Sequence, residues 1–178
     1  MTTVSRRETS VAHPATDSGQ DFGLLLLRVV VGLTMAAHGT QYLFGWFGGG
    51  GLAGASAFFA RSGYRSSDLM AVVAGLSETL GGLGLAVGLL TPLSAAAIVG
   101  TMINAMAVKW SGGFFAPRGV EYEVVMAAAA AAVAIAGPGR FAVDGAVPLL
   151  RSHHLVYGVA AVALGVVVAA ITLFLFRS

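Results

Sequence analysis

LMAVVAGLSETLGGLGLAVGLLT, residues Leu69–Thr91, decides the fold. It is long enough to cross the hydrocarbon of a bilayer, which takes about 20 predominantly apolar residues in a helix. Near its middle sits Glu78, the only charged residue between Asp68 and Lys109. A carboxylate at that depth costs roughly 2.5–3.5 kcal/mol on insertion scales. Glu78 is therefore expected to be neutral, paired with a donor, or turned toward a polar cavity. Its neighbours are the route to a function.

Composition gives the same class. Soluble domains carry about 25% charged residues, whereas this chain is 10% charged and 57% hydrophobic. The reading is an all-α, polytopic membrane helical bundle. The formal net charge of +2 is too small to argue for nucleic acid or an acidic substrate. The absence of cysteine leaves no disulfide, iron–sulfur cluster, zinc–thiolate site or thiol relay within the chain. Redox work would need a bound cofactor, a quinone or a partner protein. Of His13, His38, His153 and His154, only His38 falls inside a span, so the paired intramembrane histidines of a b-type haem site are missing.

Residues 1–21 are polar, mixed in charge and without apolar periodicity, and read as a disordered tail. Ser5-Arg6-Arg7 faintly resembles a twin-arginine signal. However, the apolar run begins only beyond Asp17 and Asp21 and lacks a clean cleavage site, so it reads as a retained helix. Five spans are placed at Phe22–Trp46, Leu69–Thr91, Leu93–Trp110, Val120–Gly137 and Leu155–Phe176. Ala53–Arg61, in the long first loop, is expected to form an interfacial helix with Phe58 and Phe59 in lipid. Pro92 suits the first turn of the third span, and Gly137-Pro138-Gly139 ends the fourth. Gly81, Gly84 and Gly88, and Ala127–Ala132, offer small faces for close helix packing. Trp46, Phe47, Trp110, Phe114 and Phe115 form an aromatic belt at one end. Arg6, Arg7, Arg140 and Arg151 nearly balance Arg61, Arg65, Lys109, Arg118 and Arg177 across the bilayer. Orientation then rests on the first span, which favours an N-terminus inside a multi-pass protein of the cell membrane.

Helical rise places the polar residues in depth. Measured from the side carrying the first and third loops, His38 lies about 12 Å down, Glu78 about 14 Å and Asn104 about 9 Å. Tyr42 and Lys109 sit just above, and Glu121 and Glu123 enter from the same side. Arg28 starts about 9 Å from the opposite face, with a side chain long enough to reach toward mid-membrane. The expected site is thus a polar cluster with Glu78, His38 and Arg28 as its catalytic residues, His38 or Arg28 donating to Glu78, with Tyr42, Asn104, Lys109, Glu121 and Glu123 as substrate-binding residues and no metal. For His38 and Asn104 packing is the competing role, and for Lys109, Glu121 and Glu123 it is interfacial solvation.

Arg28-Val-Val-Val-Gly32, His38-Gly39-Thr40-Gln41-Tyr42-Leu43-Phe44-Gly45-Trp46-Phe47-Gly48-Gly49, Glu78-Thr-Leu-Gly81-Gly82, Glu121-Tyr122-Glu123 and Gly137-Pro138-Gly139-Arg140-Phe141-Ala142-Val143-Asp144 together resemble the DoxX family over about residues 22–145. The resemblance implies a four-helix membrane core at 22–145, followed by a linker and an additional C-terminal transmembrane helix at 146–178. It marks Arg28, His38, Glu78, Glu121 and Asp144. The family pattern carries a lysine where Tyr42 stands and a histidine where Lys109 stands. It also implies a membrane oxidoreductase subunit, related to the membrane subunit of thiosulfate:quinone oxidoreductase. The expected ligand is a quinone or small molecule, with electrons supplied by a redox protein partner. The residues leave two alternatives open. One is a non-catalytic subunit or scaffold, as a homo-oligomer or on a soluble redox enzyme; the other is a small-solute or proton pathway.

Overall fold

The computed structural model describes residues 18–177 and is an all-helical membrane bundle with no β-strand among them. Its helices are α1 (Ser18–Phe44), α2 (Gly51–Arg61), α3 (Ser67–Val87), α4 (Thr91–Lys109), α5 (Glu121–Ala136) and α6 (Leu155–Phe176). The tail and twin-arginine readings of residues 1–17 lie outside the described residues. Ser18–Asp21, placed in that tail, are the first turn of α1, and the Asp21 carboxylate accepts from the Arg140 backbone N–H at 2.8 Å.

Four helices, α1, α3, α4 (with the turn after it) and α6, are long and apolar enough to cross a membrane. The fourth expected span is shorter than placed. α5 ends at Ala136, where Gly137 takes up φ 94°, and its length of about 24 Å falls short of the roughly 30 Å hydrocarbon. Phe22, Leu26, Val30 and Leu33 on α1, and most of α6, turn apolar side chains outward, as lipid-facing helices do.

Glycines set the spacing of the bundle. The buried stripe of α1 includes Arg28, Gly32, Met35 and Gly39, a helical repeat that faces α3 in antiparallel sense. At Gly32 an added Cβ would lie 2.5 Å from the Gly82 carbonyl oxygen and 2.6 Å from the Ala86 nitrogen. Only glycine permits that approach, which supplies the dispersion contacts that hold membrane helices together. On its other side α3 lays Gly81 and Gly84 against Ser94 and Ala97 of α4. Gly88, in the left-handed region at φ 72°, ends α3 and begins the tight turn into α4, with Pro92 in the first turn as expected. The buried face of α6 is Gly158, Ala161, Gly165 and Ala169, which seats the helix on α4 and α5.

α2 caps the end of the bundle that carries the first and third loops. Phe59 does not enter lipid: it is buried with Ala55, Tyr64, Met70 and Ala71, while Phe58 stays half-exposed. The hydroxyl of Ser56 bonds to Asp68, tying α2 to the start of α3. The C-terminal end of α6 is strapped to the same cap. The Arg65 N–H donates to the Phe176 carbonyl at 2.8 Å, and Arg177 Nε donates to the Ser62 carbonyl at 3.1 Å. Trp46, Phe47, Trp110, Phe114 and Phe115 are all exposed at this end.

Candidate functional site

Glu78 lies three residues after Gly75 and three before Gly81, on the face of α3 wedged between α1 and α4. That register leaves it 4% exposed. Its Oε2 is buried with no hydrogen-bond partner among the described residues. Neither His38 nor Arg28 donates to it, contrary to the sequence expectation. A buried polar atom without a partner costs about 1–3 kcal/mol, and one that lines a cavity is accounted for by a ligand, a water or a reaction there.

Glu78 lines a cavity of about 540 Å³, within the size range of small-molecule sites. Six of the residues expected at the site share this cavity: His38, Tyr42, Glu78, Asn104, Lys109 and Glu123. Antiparallel helices with a constant rise bring them to one chamber. The structure adds Tyr64, Ser77, Thr101 and Tyr122 to the polar lining. Ser77 adjoins Glu78 and Tyr122 adjoins Glu123 in sequence, and that adjacency was the available signal. Tyr64 arrives by a fold-back of the first loop, which no periodicity announces.

Most of the polar groups have defined partners. Tyr64 donates to Asn104 Oδ1 at 3.0 Å, and Asn104 Nδ2 donates to the Gly100 carbonyl of its own helix at 3.0 Å. Burial pushes the Tyr64 phenol up from its ordinary range, against the pull of Arg177, so it remains the donor. Lys109 Nζ bonds Glu123 Oε1 at 2.6 Å; the lysine is half-exposed, the glutamate buried, and Glu123 Oε2 has no partner. The exposed His38 ring lies 5.7 Å from the Tyr122 ring, and Tyr42 meets Phe59 edge-on at 6.1 Å. Tyr42 and Tyr122 both lie within electrostatic range of Glu78 and Glu123. The chamber thus holds two carboxylates with an unpartnered oxygen each, bordered by phenols and one imidazole.

Arg28 belongs elsewhere. It is fully buried at the opposite end of the bundle, where Nη2 donates to the Phe141 carbonyl at 2.9 Å and Asp144 supplies the opposing charge. Asp144 in turn accepts from the N–H groups of Leu90 at 2.7 Å and Thr91 at 2.9 Å, capping α4 from a segment more than fifty residues away. Arg28 and Asp144 therefore fasten the α3–α4 turn to the segment after α5. Glu121 is the first residue of α5, partly exposed, and does not line the cavity.

The cavity is also open sideways. α4 forms its floor, with small side chains at Ala96, Ala97, Gly100 and Ala105, while α3 and α6 both flank α4. Its rim carries the exposed apolar residues Val73, Leu93, Leu164 and Val168. Such a rim, on helices long and apolar enough to cross a membrane, is suited to contact with lipid.

A family model described as DoxX matches residues 23–116, more than half of the chain, from α1 through α4. Glu121, Glu123 and Asp144 lie beyond the matched residues, as do α5 and α6. No curated protein and no solved structure matches the chain.

Proposed function

The chain belongs to the DoxX family, and from that premise we propose that it is a redox-associated membrane protein binding a lipid-soluble quinone beside Glu78. The observation that carries this reading is the unpartnered Oε2 of Glu78 on a cavity whose apolar rim is suited to lipid. Reduction of a quinone to a quinol takes up two electrons and two protons, one proton at each carbonyl oxygen. In this reading Glu78 delivers one proton and Tyr42, which lines the same chamber, is a second O–H donor. Asn104, held by Tyr64 and Gly100, is a positioning residue. The electrons come from a redox protein partner, because the chain contains no cysteine and only one histidine within the spans.

The scaffold reading fits Glu78 less well. A carboxyl group retained to fix helix register would bond to a neighbouring helix. Glu78 Oε2 makes no such bond.

Glu78→Leu should weaken binding of a decyl-substituted benzoquinone to detergent-purified protein by about ten- to a hundredfold, the loss expected for one buried polar contact. Equilibrium dialysis measures it. Equal affinity in the wild type and the variant would remove Glu78 from the site.

A further inference from the structure

The geometry points to an amphiphilic ligand whose apolar tail lies in the furrow along α4 and α6, with its polar head at Glu78. This rests on the quinone reading above and names the class: a ring bearing a prenyl or alkyl chain. The lining separates along the cavity. Polar side chains gather at the Glu78–Asn104 level, under the α2 cap. Below Thr101 the floor is Gly100, Ala97, Ala96 and Leu93, and the α6 wall is Leu164, Gly165 and Val168. From Asn104 to Leu93 the floor runs about 16 Å, at helical rise. The buried Glu78 oxygen, without a partner, fixes which end takes the head.

α6 is what makes the furrow a channel rather than an open face of α4. It sits close because Gly165 meets α4 directly; an added Cβ there would lie 2.6 Å from the Ala96 carbonyl oxygen. The wall it provides lies outside the residues matched by the family model. Val168 and Leu164 are about half-exposed on the furrow edge, so larger side chains there occupy the channel without entering the core.

The test compares the decyl-substituted benzoquinone with the same ring lacking the chain. Affinities are measured in one detergent, so that micelle partitioning cancels between variants. Val168→Trp and Leu164→Trp should each lower the ratio of decyl to chainless affinity about tenfold. Val156→Trp, on the lipid face of α6 and away from the cavity, should leave the ratio unchanged. An unchanged ratio in both furrow variants, including equal loss of both probes, overturns the tail channel. Failure of the wild type to bind either probe overturns the quinone reading, and the tail channel with it.

Discussion

Asp144→Ala should destabilise the folded protein by about 2–5 kcal/mol, chiefly the cost of orphaning two backbone N–H groups, with the loss of an opposite charge near a buried guanidinium added to it. Arg28 is fully buried, with Nε and Nη1 lacking partners, and Asp144 supplies the attraction that offsets its desolvation. The same carboxylate also satisfies two N–H groups at the start of α4, at Leu90 and Thr91. Both N–H groups would be orphaned by the substitution, and Leu90, held at φ 47°, would lose the contact that keeps it in a left-handed conformation. Unfolding of detergent-solubilised protein by sodium dodecyl sulfate measures the loss. The double variant Arg28→Met with Asp144→Leu should be milder than Asp144→Ala alone, because it removes the stranded charge. A loss below about 1 kcal/mol for Asp144→Ala would contradict the clamp.

Gly32→Leu should cost about 3 kcal/mol, near the upper end of overpacking effects, because the obstacle is backbone rather than a flexible side chain. The Cβ alone would meet the Gly82 carbonyl oxygen at 2.5 Å and the Ala86 nitrogen at 2.6 Å. α1 and α3 must then part along the face that carries His38 and Tyr42 toward Glu78. Quinone binding should fall together with stability in this variant. In Glu78→Leu, by contrast, binding falls while the helix contact is kept. Wild-type stability in Gly32→Leu would mean that α1 and α3 do not pack through their glycines.

The sequence made the level of the site legible, but not every direction of approach. His38, Glu78 and Asn104 sit on consecutive long helices joined in antiparallel sense, so counting residues gives their depth. Arg28 shows the limit of counting. Its depth was compatible with a reach toward Glu78, yet its side chain turns to Phe141 and Asp144, which are separated from it by more than a hundred residues. The long loop after α5 brings Asp144 there, and no helical period encodes where such a loop returns. Tyr64 is a similar case: the strap between the first loop and the end of α6 places it over Asn104. α6 itself was legible as a span, but its role as a cavity wall depends on the Gly165 contact with α4. Phe59 packs inward, away from lipid, because an amphipathic loop helix can face a bundle as readily as a bilayer.

The most direct test of the account is photolabelling of the purified wild-type protein with an azido-substituted decyl quinone, followed by mass spectrometry of the labelled peptides. The account predicts labels on the lining of one cavity, at α3 around Ser77–Glu78, at α4 around Thr101–Asn104 and at α6 around Val168, all competed by unlabelled quinone. Labels confined to the outer faces of α1 and α6, and indifferent to competitor, would contradict it.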